Sequence, residues 1–495
     1  MPRIIAALFV AIELALSGRY GFFPDELYFI QAGRHPAFGY VDQPPLVPLL
    51  SRITDLLGPH PAAVRIIPAL AGAATVLIAA RLAALFGGGP AARTLAALTT
   101  ACAPFVFALA HLGITETLDL LAWAAVLLLV SEAILLDRPR RWLGAGAAAG
   151  LGLQTNNLVL LLLLALTAGL LSTPRGRAEL RTRWPWLGAA IAALIWLPNV
   201  LWQATHGWPQ LAMAAALHQQ HSTVASYIGA VPAQVFYAGV PVAPLLVAGY
   251  VSLWRRPELR FLGIAATLLV VYVIAWIPGK PYYAEGTAPV VLAAAAVAAE
   301  RWVTRGSRPR LRRAAVIAAP LLAAAVTIPA VLPVLPPERL HSIAGLNRVT
   351  TADTVGWPGY TRAVAAEVAA LAAAGRPPTS IFTANYGEAA ALEVLGDAET
   401  LPPVLSGHNH YWLWGPGTAS NETVLVVDAL DELRAYFADC HQTTTYQVPD
   451  EVPSDFAEIP IGVCTGPTAG WPALWPNLRH YGGILSTGTK DRRQP

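Results

Sequence analysis

Hydrophobic positions fall into long unbroken runs at 3–18, 62–84, 91–110, 114–136, 185–203, 227–253, 259–277, 283–299 and 314–335. Each is near the ~20 mostly apolar residues a helix needs to cross a bilayer. One further run, 142–172, is too long for a single crossing and contains the polar break Gln154-Thr155-Asn156-Asn157, so it predicts two. Basic residues collect between the runs at Arg3, Arg81–Arg93, Arg138–Arg141, Arg175–Arg183, Arg255–Arg260 and Arg301–Arg313. Such clusters favour the cytoplasmic side. The pattern predicts eleven crossings with the N-terminus inside, which places Phe22–Pro48, His111–Thr115, Thr205–Ser226, Gly279–Tyr283 and everything after about Pro336 on the outer face. The first run also fits a cleavable signal segment; its retention is expected, because no other helix is available to lead into the loop that follows.

Beyond Pro336 the pattern changes to short alternating elements: a helix over Val364–Ala374, a strand over Thr379–Thr383, a helix over Gly387–Leu395, a buried strand over Thr423–Val427 and a helix over Ala429–Ala438. Helices and strands in alternation predict a small layered α/β domain. The expected architecture is an α-helical polytopic membrane protein over 1–336, with an outer loop at 19–60, followed by an extracytoplasmic α/β domain over 337–495.

Composition agrees. With 55% hydrophobic and 13% charged residues and a mean hydropathy of +0.50, the chain is too apolar for a soluble globular protein. The net charge of +3 arises from the clusters between apolar runs, a pattern of membrane orientation that does not point to nucleic acid. Of 33 basic residues only Lys280 and Lys490 are lysines. Cys440 and Cys464 both fall in the outer region and predict a disulfide there, while Cys102 lies within an apolar run.

Candidate chemistry concentrates in the first outer loop, FFPDELYFIQAGRHPAFGYVDQPPLVP, where Asp25, Glu26 and Asp42 stand among aromatic residues including Tyr28 and Tyr40. A short helix over Glu26–Gly33 and a stiff Pro44-Pro45 exit are expected. A carboxylate held there against a membrane bundle can serve as general base on an acceptor hydroxyl or amine; the plainer alternative is helix capping and solvated charge. Glu116 and Asp119 share one face at the outer end of a helix, where acids either line a cavity or complement the helix dipole. Lys280, with Tyr282 and Tyr283 before a helix start, suits a phosphate; snorkelling is its ordinary alternative. His218 and His221 have the spacing of metal ligands, a weak signal beside the ordinary exposed histidine. His408, Asn409, Tyr411 and Trp412 form a polar and aromatic loop suited equally to acceptor recognition and to packing. The chain carries no G-x-S-x-G or H-E-x-x-H hydrolase motif.

The stretch PDELYFIQAGRHPAFGYVDQPPLVPLL resembles the first outer loop of polyprenyl-phosphate-sugar-dependent glycosyltransferases of family 39, which have the GT-C fold and include protein O-mannosyltransferases and the lipid A aminoarabinose transferase. HLGITETLDLLAW, GLGLQTNNLVLLLLLAL, LPNVLWQATHGWPQL and GKPYYAEGTAPVVLAAA extend the resemblance along the helices, and GWPGY, TANYGEAAAL, SGHNHYWLWGPG and WPNLRHY along the outer domain. The resemblance implies Asp25 as the catalytic aspartate, Glu26 as its neighbour and Asp42 as a second acidic site that binds a divalent metal in some relatives; Gln43 stands where many relatives have His. It further implies inverting transfer of a sugar from a polyprenyl-phosphate donor to a protein, lipid or cell-wall glycan outside the cytoplasmic membrane. Competing expectations are a transporter or flippase of lipid-linked sugars and a non-catalytic protein that binds cell-wall polymers.

Overall fold

A computed structural model describes residues 1–277, 280–343 and 351–482, with the side chain of His221 outside that description. The first two thirds of the chain, to Val331, form a helical bundle. Among the described residues, five helices are long and apolar enough to cross a bilayer: Pro61–Leu85, Thr115–Leu135, Arg183–Thr205, Pro281–Thr304 and Pro309–Val331. Three further pairs, Pro90–Ala101 with Pro104–Ala110, Val159–Leu171 with Pro174–Leu180 and Val224–Ala238 with Val240–Arg255, qualify as bent spans, giving up to eight. The eleven crossings expected from the sequence are not reached by this criterion, since Pro2–Leu16, Arg141–Leu153 and Arg260–Trp276 have only 15, 13 and 17 residues. The bends have local causes. Pro104 opens the second helix of its pair, and the 86° bend near 239 combines Gly239 at φ 97° with Pro241. The long run over 142–172 divides as expected, into Arg141–Leu153 and Val159–Leu171, with the Asn156 side chain accepting from Leu158 N at the break.

Ala288–Thr304 is the central helix. Val290 to Val297 are all nearly inaccessible, because their small side chains admit close neighbours on every face. At its far end Glu300 accepts from the free amides of Gly89 and Ala92 at 2.8 and 3.1 Å, capping the helix Pro90–Ala101. Its near end leads back through the 3₁₀ turn Pro281–Thr287 to Lys280.

The C-terminal region is a mixed five-stranded sheet, ordered β2-β1-β3-β5-β4, from β1 (Ser380–Thr383), β2 (Val404–Ser406), β3 (Thr423–Val427), β4 (Phe437–Gln447) and β5 (Glu458–Pro467). β1 pairs in parallel with β2 and β3, while β5 runs antiparallel to β3 and β4. The helices Trp357–Ala373 and Tyr386–Leu395 correspond to the two expected before and after β1. The helix expected over Ala429–Ala438 is only Leu430–Leu433 and a 3₁₀ turn, because Phe437 begins β4 and sheet pairing outweighs local helix propensity. Cys440 and Cys464 face each other across β4 and β5 and form the expected disulfide.

Two sets of contacts hold the first outer loop. Its helix, Pro24–Arg34, starts with proline at the first position, and Glu26 reaches back to the Phe23 amide at 2.8 Å. From below, Arg65 grips this helix through Nε to Glu26 Oε1 at 3.0 Å and Nη2 to Oε2 at 2.8 Å, with both residues essentially inaccessible. Arg65 also donates to the carbonyls of Ser17 and Gly21, each at 2.8 Å, and the amide of Gly113 donates to Glu26. His111 lies 3.4 Å from Arg65 and 3.0 Å from Glu13, which extends the network into the bundle. From above, Phe22, Leu27, Tyr28, Phe29 and Ile30 share one apolar core with Trp357, Tyr360, Ala389, Leu392 and Leu425 of the C-terminal region. Gly387 permits this approach, since a Cβ there would stand 2.9 Å from Pro24.

Two stability predictions follow from these contacts. Arg65→Ala strands a buried carboxylate and is expected to cost about 3–5 kcal/mol; an unchanged melting curve in detergent would refute the pairing as a structural anchor. Replacing both Cys440 and Cys464 by serine opens a closed loop and should cost about 3 kcal/mol, read as a lower midpoint for the purified protein under non-reducing conditions.

Candidate functional site

The loop brings Asp25 and Asp42 to one crevice beneath the C-terminal region. Pro24 places Asp25 in the first turn of the loop helix, where its Oδ1 accepts from the Tyr386 hydroxyl at 2.7 Å. Asp42 follows the chain reversal after Tyr40 and accepts from the Tyr28 hydroxyl at 2.8 Å and from Asn409 Nδ2 at 3.2 Å. Both carboxylates are half-buried and retain accessible surface. Burial raises Asp25 to about 6, against the Tyr386 hydrogen bond, with Glu116 pushing up and Lys280 pulling down. Burial likewise raises Asp42 to about 7, against hydrogen bonds from Tyr28 and Asn409 and with Asp25 adding to the rise.

Lys280, Tyr282, Tyr283 and Glu116 make up the membrane side. All four are half-buried, and Lys280 and Glu116 both lie within electrostatic reach of Asp25. Lys280 Nζ stands 5.7 Å from the Tyr283 ring centre, and the rings of Tyr282 and Tyr283 meet edge to face at 4.8 Å. Gly279, the first residue of the expected outer segment Gly279–Tyr283, lies with Pro278 outside the described residues. Asp119 is turned away and buried, accepting from Trp123 Nε1 at 2.9 Å. Trp123 packs on Gly286 so closely that a Cβ there would lie 2.3 Å from the indole, so Asp119 supports the turn that carries Lys280. Of the two acids at the outer end of this helix, Glu116 is the one within electrostatic reach of Asp25 and Lys280.

The remaining candidates divide by what they touch. Glu26 stands next to Asp25 in sequence but gives both its oxygens to Arg65, Phe23 and Gly113. The Tyr40 hydroxyl donates to the Ala32 carbonyl at 2.8 Å and closes the loop on itself. Asn409 reaches Asp42, while the His408 ring packs on Tyr386 with centroids 4.7 Å apart. Burial holds His408 well below the usual imidazole range, helped by His480, and holds His410 at about 3, so both rings are neutral at physiological pH. Tyr411 donates to Glu393, and Trp412 exchanges hydrogen bonds with Trp475, so both are tied into the C-terminal core.

Among the described residues the donor set for the implied divalent metal is incomplete. Asp42 already has a donor on each oxygen, and among the described residues no group of three His, Cys, Asp or Glu converges. His218 stacks on Trp276 and its Nδ1 faces that residue's carbonyl at 2.8 Å, apart from the partners of Asp42; the His221 side chain lies outside the described residues.

Sequence reasoning missed Arg65 and Tyr386. Arg65 was detectable as a lone arginine outside every basic cluster, at the start of an apolar run. Tyr386 gave no signal of its own, being 361 positions from Asp25.

The profile of the family described as dolichyl-phosphate-mannose-protein mannosyltransferase matches residues 42–202, a span that includes Asp42, Glu116 and Asp119 and begins after Asp25. No curated protein sequence matches the chain. Among solved structures, ArnT from Cupriavidus metallidurans in the apo state is similar with a TM-score of 0.61 and 15% identity, over 93% of this chain and 97% of that one. The same protein bound to undecaprenyl phosphate gives 0.58 at 14% identity, with the same coverage. The Archaeoglobus fulgidus oligosaccharyltransferase in complex with Zn and sulfate gives 0.53 at 13% identity, over 87% of this chain and 68% of that one. At such identities the likeness is one of architecture, and the chain is a multi-pass membrane protein with the GT-C fold of these glycosyltransferases.

Proposed function

We propose that this protein is a membrane glycosyltransferase that moves a hexosyl or pentosyl group from a polyprenyl-phosphate donor to an acceptor outside the cytoplasmic membrane, where the C-terminal domain would lie. The observation that carries this reading is a cluster of charges: two half-buried carboxylates, Asp25 and Asp42, within electrostatic reach of each other, and a half-buried Lys280 within reach of Asp25 at the turn that enters the central helix. A lipid-linked sugar phosphate needs a cation near the bilayer surface, and an acceptor hydroxyl or amine needs a base; the crevice offers both. The structure of ArnT bound to undecaprenyl phosphate, a protein of the same fold, supports a lipid-phosphate donor.

In this mechanism the acceptor attacks the anomeric carbon from the face opposite the phosphate. The new bond forms as the bond from that carbon to the phosphate oxygen breaks, inverting the centre, and the acceptor proton passes to an oxygen of Asp25. The departing polyprenyl phosphate gains charge, which Lys280 and the Tyr283 hydroxyl stabilise. Asp42 orients the acceptor, its own direction fixed by Tyr28 and Asn409. A transporter would place its polar site near the bilayer midplane, whereas these groups gather where the bundle meets the C-terminal region.

Asp25→Asn keeps shape but removes the base, so single-turnover transfer should fall at least ~10²-fold with donor affinity little changed. Lys280→Ala should instead weaken donor binding first. Normal transfer by Asp25→Asn with any donor in a panel of polyprenyl-phosphate sugars would remove Asp25 from the mechanism. The pH dependence has a definite sign: the base form of Asp25 dominates above its value of about 6, so the rate should rise through that pH and level off beyond it. A rate that falls from pH 5 to 7 would contradict this assignment.

A further inference from the structure

The C-terminal region does more than cover the crevice. Tyr386 opens the helix that follows β1, and three separate restraints fix its place. Asn385 and Glu388 close a reciprocal cap around the helix start. The Tyr386 amide donates to His408 Nδ1 at 3.3 Å. Its ring lies between those of Tyr28 and His408, each with centroids 4.7 Å away, and His408 in turn stacks on His480 at 4.7 Å and 16°. This row of four rings leaves the phenol little freedom, and its hydroxyl ends 2.7 Å from Asp25. Asn409, from the loop that carries His408, gives Asp42 a donor in the same way.

We propose that the C-terminal domain is a working part of the transfer site, with the Tyr386 hydroxyl acting as a positioning group that aims the Asp25 carboxylate into the crevice and favours its ionised form. The proposal rests on the reading of Asp25 as the base. The groups facing Asp25 have opposing effects: Glu116 and Glu26 disfavour its charge, Lys280 and the Tyr386 hydrogen bond favour it, and Asp42 and Asp353 lie within electrostatic reach. Among the described residues Tyr386 is the hydrogen-bond donor that reaches the carboxylate, so its removal leaves burial and the two glutamates opposed mainly by Lys280.

The test reads Asp25 directly. In full-length protein in lipid bilayers, the protonated-carboxyl infrared band that disappears in Asp25→Asn is titrated with pH. Its midpoint in the wild type is expected near 6. Tyr386→Phe keeps the ring and removes the donor, and should raise the midpoint by about one pH unit, a tenfold change in the ionisation constant. Transfer would then drop about fivefold at pH 6 and recover at pH 8.5, with affinity for undecaprenyl phosphate unchanged. Tyr446→Phe, which removes a hydroxyl elsewhere in the same domain, should leave the midpoint in place. If Tyr386→Phe does not fold, 3-fluorotyrosine at position 386 supplies a stronger donor and should lower the midpoint. A midpoint unmoved by either replacement overturns the role of Tyr386, whatever the transfer rate. Normal transfer by Asp25→Asn, with the band still sensitive to Tyr386, overturns the assignment of the base alone.

Discussion

The structure depends on one buried ion pair. Arg65 and Glu26 join the start of a membrane helix to the outer loop, and neither charge is tolerable in that place without the other. The pair is completed by hydrogen bonds, which is what makes such burial sustainable: Arg65 supplies the Ser17 and Gly21 carbonyls with donors, and Glu26 receives the Phe23 and Gly113 amides. Three stretches distant in sequence, around 17–26, Arg65 and Gly113, thereby share one small polar centre. The direction of the loop helix, and with it the position of Asp25, is set there.

The upper face of the same helix is apolar and belongs to the core of the C-terminal domain. The first outer loop is thus a wedge between two bodies, polar toward the bundle and hydrophobic toward the sheet. Domain boundaries drawn along the chain, 1–336 and 337–495, separate residues that the packing unites: Tyr28 touches Tyr386 and Tyr411, and Val41 donates to His410. Burial at such a junction removes water from both acids, which is why each is held above the ordinary carboxylate range.

Much of this was legible in the sequence wherever one local rule decided the outcome. Pro24 and the acids after it marked the loop helix, the polar Gln154–Asn157 stretch marked a break between helices, and Thr423–Val427 read as a buried strand because all its positions but the first are apolar. The rest depended on pairing at a distance. β4, with the sequence FADCHQTTTYQ, is largely exposed and shows no apolar alternation; it is a strand because β5 supplies its partner, and β5 lies beyond another turn. The composition of the stretch Ser406–Gly415 suited its polar and aromatic residues equally to acceptor recognition and to packing. Only folding divided them, sending Asn409 to Asp42 and Tyr411 and Trp412 into the domain core.

The contrast between Asp25 and Glu26 shows why adjacency in sequence is a poor guide to role. A carboxylate has about four lone-pair positions. Glu26 fills them with two donors from Arg65 and the amides of Phe23 and Gly113, leaving nothing for a substrate. Among the described residues Asp25 receives one hydroxyl, on one oxygen, and it keeps accessible surface. A saturated acid is an anchor, whereas an acid with open lone pairs in a poorly solvated crevice can still take a proton. The helix enforces this difference, because one residue of advance rotates the side chain by about 100° and turns Glu26 down to Arg65 while Asp25 looks up to the crevice.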